Sequence, residues 1–389
     1  MELEQYYILH RVLLSAIGLW PNDNFKIRRF RFILTLLTMV LFTSTQLIKL
    51  FVSKYNLDLL VQILPFNIVF IGISMKYVTV YAMVKNMKEF QERLQSNWNA
   101  LADNREIDII RKQAIVGRLF TITLTILVYS MSFLLFFMQC SPILLDIVIP
   151  LNESRPRELI FPAEYFLNQQ KYFSIITIHE GIGVLLMATS GVATESFSFA
   201  NALHAFGLFK ITSYRMKNIL SKTDSQTCIT KQYIISRHRI TAAVDFHRRA
   251  IEYSELLKAS FGDMYLILFV IMVCSTSINL LNFSRTIRTA KIVDMIKSIT
   301  FIFIYVMYLT MANYAGQKFI DCDTHVYRTI CNTKWYNASL KTQKLIFFLI
   351  QKTTKCYKVD AAGMFSPCFE GLATGFSMTI SYFMVLSSI

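Results

Sequence analysis

The sequence predicts an all-α integral membrane protein with seven transmembrane helices, on three observations. The 389-residue chain is 54% hydrophobic and 14% aromatic, well above an ordinary soluble domain. Its charges fall in blocks between apolar runs, each near the ~17–25 residues that cross a hydrocarbon core. Finally, Lys and Arg crowd into alternate gaps between those runs.

The elements follow in chain order. Residues 1–31 read as a cytosolic N-terminal segment. Val12 to Trp20 is apolar enough for a signal core, but Glu2 and Glu4 remove the basic leader and no small-residue cleavage site follows. The segment is therefore expected to lie as a short amphipathic stretch at the inner membrane surface. Seven spans follow, at 32–52, 59–84, 119–139, 172–194, 264–284, 298–317 and 364–389. Phe32 to Ile48, Leu119 to Leu145, Met264 to Ser284 and Ser298 to Gln317 carry no charge. The second span is interrupted by Pro65 and Lys76, and the fourth by His179 and Glu180. The whole chain, 1–389, forms one membrane domain.

Placing the N-terminus in the cytoplasm puts 27 Lys and Arg in the inside segments and 7 in the outside loops. The positive-inside bias favours this orientation, with the C-terminus extracellular. The net charge of +15 then faces anionic lipid and calls for no nucleic acid. Among the sequons, Asn152 and Asn282 fall in or beside outside loops and are glycosylation candidates; Asn337 falls inside. Seven cysteines form no C-x-x-C pair. No His/Cys/Asp cluster has ligand spacing, so neither metal nor cofactor is expected.

The inside segments have helical periodicity. Lys85 to Arg118, Ser196 to Phe209 and Tyr233 to Lys258 repeat apolar positions at helical spacing. Segments 196–262 and 313–358 are expected to contribute helices to a cytosolic anchor bundle. The seventh span is split: Leu345 to Ile350 is too short to cross, and Gly363 and Pro367 break the chain before the terminal run.

On a helical wheel Glu370, Thr374, Ser377, Ser381, Val385 and Ser388 share one sector. A polar stripe with one apolar interruption suits a pore-lining helix with a hydrophobic gate. The same stripe also suits helix packing in lipid. Pore lining requires an oligomer, since one such helix encloses nothing.

The ending Ser381-Tyr382-Phe383-Met384-Val385-Leu386 resembles the C-terminus of insect odorant receptors, especially their co-receptor. Gly18-Leu19-Trp20-Pro21 before the first span is similar to a recurrent feature of that family. The related gustatory receptors end Thr-Tyr, five residues, Gln-Phe; here Ser381-Tyr382 is followed by five residues and Ser388-Ile389, so the odorant branch fits better. The resemblance implies an odorant-gated, non-selective cation channel subunit, working with the co-receptor in a heterotetramer in the plasma membrane of olfactory neuron dendrites. It implies a pore lined by the last helix, with the gate valine at Val385 and the outer constriction at Ser388 and Ile389. The co-receptor carries glutamine where Ser388 stands and has a longer cytosolic loop, so this chain is expected to be a tuning subunit. A gustatory-type channel is the nearest alternative. A G-protein-coupled receptor would need the opposite orientation and lacks support from any Asp-Arg-Tyr or Asn-Pro-x-x-Tyr motif. No H-E-x-x-H, G-x-S-x-G or P-loop points to an enzyme.

A small apolar odorant calls for an apolar, aromatic pocket with a few polar groups. Candidates are Phe70, Ser74 and Tyr77 on the second span and Ser130, Phe133 and Phe137 on the third. His179 and Gly183 on the fourth and Tyr305 and Tyr308 on the sixth complete the set. For each aromatic, lipid or core packing is the competing reading. Lys76 is expected to snorkel, pair, or meet a polar ligand. His179 and Glu180 are expected to form interior hydrogen bonds. Glu370 is expected either to attract cations at the inner pore end or to pair with a lysine such as Lys358.

Overall fold

The computed structural model describes residues 2–53, 56–101, 103–149, 155–220, 229–289, 292–354, 357, 360 and 366–388. Ten α-helices occupy these residues: α1 (Glu2–Ala16), α2 (Phe25–Val52), α3 (Leu57–Ala82), α4 (Val84–Asn99), α5 (Asn104–Val148), α6 (Gln169–Lys217), α7 (Ile229–Thr289), α8 (Ile292–Cys331), α9 (Leu340–Thr353) and α10 (Phe369–Ser388). Seven of them, α2, α3, α5, α6, α7, α8 and α10, are long and apolar enough to cross a membrane.

Helix starts are written in polar side chains. Asn24, Asn56, Asp103, Asn168 and Ser339 each accept a first-turn backbone N–H at the heads of α2, α3, α5, α6 and α9, satisfying donors the helix itself leaves free. Gly18 ends α1 with φ +75°, and a Cβ there would stand 2.6 Å from the Arg28 carbonyl oxygen. Only glycine fits that turn. The following Leu19 donates its N–H to Leu14 and is fully buried. The Gly-Leu-Trp-Pro stretch is thus a helix stop that folds α1 back against the base of α2.

Four helices run far past the apolar stretches, which stop at charge whereas the helices do not: α5 spans 45 residues, α6 49, α7 61 and α8 40. Their continuations pack with α1, α4 and α9 into a second helical layer. There the Arg215 guanidinium of α6 donates to both Glu106 oxygens on α5, at 2.6 and 2.8 Å, and stacks 3.8 Å over the Phe246 ring of α7. Such a forked contact fixes geometry as well as charge.

The α6 helix is the axis of the molecule. It packs against α1, α2, α3, α5, α7 and α8, and from Val192 onward nearly every residue is buried. Asn201 in this stretch takes a hydrogen bond from the buried Tyr253 hydroxyl of α7 at 2.5 Å, so even its polar positions are used for packing.

One expectation is corrected at once. Asn282 is not a glycan acceptor, because its side chain is buried within α7 and donates to Ser298 of α8 at 3.2 Å. An amide held between two helices has no room for a sugar. Asn152 lies outside the described residues.

Candidate functional site: an apolar cavity beside the final helix

A cavity of about 330 Å³ lies among α3, α5, α6, α7 and α8, at the low end of the roughly 300–1,000 Å³ of small-molecule sites. Its walls are Val, Leu, Ile, Met and Phe side chains with few polar groups. Phe161, from the segment joining α5 to α6, forms part of the wall. Phe161 is only 3% exposed and meets Phe42, Phe66 and Phe70 edge-on at 5.6–6.0 Å.

Backbone and ionic contacts hold this segment in place. Ile160 donates its N–H to Gln139 at 3.3 Å and accepts from the buried Lys297 ammonium at 2.8 Å. Glu164 donates its N–H to Thr45 and pairs with Lys49 at 2.9 Å. The bond from Lys49 holds the Glu164 carboxyl below the usual carboxylate range.

Further along the wall the lining includes charged and polar groups. Lys76, six residues or about 9 Å of helix rise beyond Phe70, forms an ion pair with Glu195 of α6. The second Glu195 oxygen accepts from the Tyr265 hydroxyl of α7 at 3.3 Å, and the Lys76 ammonium lies 5.2 Å from that ring. Opposite charges in apolar surroundings must pair, and here they pair across two helices.

The cavity wall is shared with α10. Leu309 of α8 lines the cavity and would touch a Cβ at Gly375 of α10 at 3.0 Å. One turn earlier, the buried Tyr305 hydroxyl hydrogen-bonds the Thr379 hydroxyl at 2.6 Å. Ser277 of α7 donates to the Thr379 carbonyl at 3.1 Å. At the foot of α10, Asn313 and Gln317 of α8 accept the Cys368 and Phe369 N–H groups at 3.1 and 3.4 Å. Gly316 lets Pro367 pack directly on α8, where a Cβ would collide with the proline carbonyl. The final helix is therefore attached by its Gly371, Gly375 and Thr379 face. Its opposite side, carrying Glu370, Thr374, Ser377, Ser381, Val385 and Ser388, is exposed, Val385 by 58%. Ile389 and Lys358 lie outside the described residues.

The remaining candidates scatter. Phe70 and Tyr308 line the cavity. Ser74 stands beside it, donating to the Phe70 carbonyl at 2.9 Å. Three readings need correction. Phe133 and Phe137 are 73% and 56% exposed, and Ser130 is exposed with them; the face of α5 that meets the cavity carries Val128, Met131, Ser132 and Leu135. Tyr77 is fully buried away from the cavity, donating to the Ile17 carbonyl at 2.5 Å. Gly183 packs on Phe42, whose ring would stand 2.6 Å from a Cβ, leaving no space for a ligand. His179 bonds the Tyr165 hydroxyl at 2.9 Å, and Glu180 accepts from Gln139 at 2.7 Å. Tyr305 faces α10.

Sequence reasoning missed Phe161, Glu195 and Tyr265. Glu195 carried a signal: it is the carboxylate closing the fourth apolar run, and Lys76 is the one lysine inside the second.

Seven membrane-length helices, five of them around an apolar cavity and the last attached to its wall, define a multi-span membrane protein with a candidate small-molecule site. Residues 56–374 match the sequence profile of the family described as 7tm Odorant receptor, and the chain belongs to that family. Its fold is similar to that of the insect olfactory receptor OR5 from Machilis hrabei in complex with eugenol. That comparison has a TM-score of 0.79 at 13% identity, covering 100% of this chain and 97% of the other. A second structure of the insect olfactory receptor OR5 from Machilis hrabei matches with a TM-score of 0.73 at 12% identity, covering 98% of this chain and 96% of the other. No curated protein sequence matches the chain.

Proposed function

We propose that this odorant receptor is the tuning subunit of an odorant-gated, non-selective cation channel, paired with the family's co-receptor in a heterotetramer. The observation that carries the reading is the shared wall: Leu309 borders both the cavity and α10, and Tyr305 one turn away is hydrogen-bonded to α10. A small apolar ligand in the cavity binds better when the α8 wall and α10 adopt the conducting arrangement, and so shifts the population toward it. The exposed stripe of α10 faces the pore, with Glu370 at the inner end and Ser381, Val385, Ser388 and Ile389 toward the outer mouth. Val385 is this subunit's share of a hydrophobic constriction that conducts once wide enough to hydrate. The N-terminus is cytoplasmic and the C-terminus extracellular, as the basic residues favour, in the plasma membrane of olfactory neuron dendrites. The layer containing α4, α9 and the ends of α6, α7 and α8 is the cytosolic anchor between subunits.

The test is whole-cell current recording with and without the co-receptor across a chemically diverse odorant panel. Odorant-evoked current that needs both chains is the expected result. Silence in both conditions, with the chain shown at the cell surface, overturns it. A C-terminal tag that antibody fails to reach on intact cells overturns the orientation.

A further inference from the structure

We propose that α1 and the head of α2 form a docking surface for anionic phospholipid headgroups of the cytosolic leaflet. Only the choice of leaflet rests on the cytoplasmic N-terminus of the proposed function.

The level of this surface follows from His10. Its ring lies 3.3 Å from the hydroxyls of Thr121 and Ser196. Those two residues stand where the apolar runs of α5 and α6 meet charge, at Arg118 and Glu195. α1 therefore lies along the membrane boundary, with His10, Leu13, Leu14 and Ile17 buried against the bundle. Its outer face carries exposed Ile8 and Val12 beside the exposed Arg11. After the Gly18 turn α2 opens with the same mixture. Phe25 and Phe30 are exposed, and so are Lys26 and Arg29 between them. An exposed apolar face interleaved with cations suits the interface, where stems and rings meet acyl chains and the charges meet headgroups.

The charge balance of the surface is one-sided. Between Gln5 and Phe32 there are five cations and one acid. That acid, Asp23, accepts from the Ser15 hydroxyl at 2.5 Å and lies 3.8 Å from Arg31. Arg31 also donates to the Ser15 carbonyl at 2.8 Å, and Arg28 donates to the Pro21 carbonyl at 3.2 Å. These two arginines fasten the turn. The side chains of Arg11, Lys26 and Arg29 have no partner among the described residues. Arg11 shares a groove between α1 and α2 with Arg31, and the start of α2 adds its partial positive charge. A soluble anion would answer the charges and leave Ile8, Val12, Phe25 and Phe30 in water. A phospholipid answers both.

The test uses the full chain purified in detergent and the concentration dependence of thermal stabilisation. The probes are dioctanoylphosphatidylserine, its zwitterionic phosphatidylcholine counterpart and inorganic phosphate. Phosphatidylserine is expected to stabilise at the lowest concentration, and less effectively as salt is raised. In the triple variant Arg11→Gln, Lys26→Gln, Arg29→Gln the phosphatidylserine concentration needed should rise about tenfold or more, since one cation near an anionic surface is worth about fivefold. Phosphatidylcholine should act as before. Should the triple variant fail to fold, each single variant is expected to show a rise of about two- to fivefold. Glutamine at Lys112, Arg237 and Lys344, exposed cations elsewhere on the second helical layer, should change nothing. Equal stabilisation by the two lipids or by phosphate, unchanged binding in the variants, or an equal loss in the control each overturns the docking surface. Binding that holds in a chain whose C-terminus proves cytoplasmic overturns the orientation and the leaflet. Absent binding in a chain whose C-terminus is reached from outside overturns the docking surface alone.

Discussion

The Tyr305 hydroxyl of α8 meets the Thr379 hydroxyl of α10 at 2.6 Å, both groups buried. This bond joins a helix of the cavity wall to the final helix, which Ser277 of α7 and the packing of its Gly371 and Gly375 face also hold. In apolar surroundings such a bond is worth about 1 kcal/mol. Tyr305→Phe should therefore loosen the attachment and change the odorant concentration for half-maximal current by about two- to fivefold. The same shift in Thr379→Val, with no further shift in the double variant, identifies the bond as the cause. Additive shifts would assign the effect elsewhere.

Val385 is 58% exposed, on the side of α10 turned away from its own bundle. If that side faces the pore, Val385→Ala widens the constriction. Basal current without odorant should rise, or ion permeability change, in cells that also express the co-receptor. Unchanged basal current, permeation and block would count against a pore-facing Val385.

Gly316 is where α8 admits Pro367. A methyl group there has no space, so Gly316→Ala must push the root of α10 off α8. Surface expression should fall, and the purified variant should melt at a lower temperature than Gly191→Ala, whose added Cβ meets nothing within 4 Å. Equal melting of the two variants would refute the close approach.

His10 on α1 lies between Ser196 of α6 and Thr121 of α5, 3.3 Å from each hydroxyl. Burial pushes its pKa down from 6.5 to about 4. Released from the bundle the imidazole takes up a proton more readily, so stability is fully present above about pH 6.5, where neither form is protonated. It declines as pH falls and levels off below about pH 4, for a loss on the order of 3 kcal/mol. Melting curves of the solubilised protein between pH 4 and 7.5 should show this decline, and His10→Gln should flatten it. A wild-type profile flat across that window would rule out a neutral, buried His10.

Fold and site were unequally legible in the sequence. The seven apolar runs, the continuation of the fourth helix past Glu195 and the break near Pro367 could be read from spacing, because helical period and hydropathy are local properties of the chain. The face each helix turns to a cavity is not local. Phe133 and Phe137 share one face of α5 and read as a pocket, yet in a membrane an aromatic face suits lipid as well as a ligand. The cavity instead received Met131 and Ser132. Tyr77, on the correct helix, was drawn to the Ile17 carbonyl of a segment 60 residues earlier.

By itself the sequence determined the class, the number of spans, the family and the amphipathic character of the last helix. The family followed from the resemblance of its two short motifs, and the rest from composition and periodicity. Only the tertiary structure decided that Lys76 and Glu195, 119 residues apart, neutralise each other. It likewise decided that Phe161 joins the cavity wall, packed on Phe42, Phe66 and Phe70. The reason is physical: in apolar surroundings a charge or hydroxyl is defined by what faces it. What faces each of these groups is set by helices that meet only when the bundle closes.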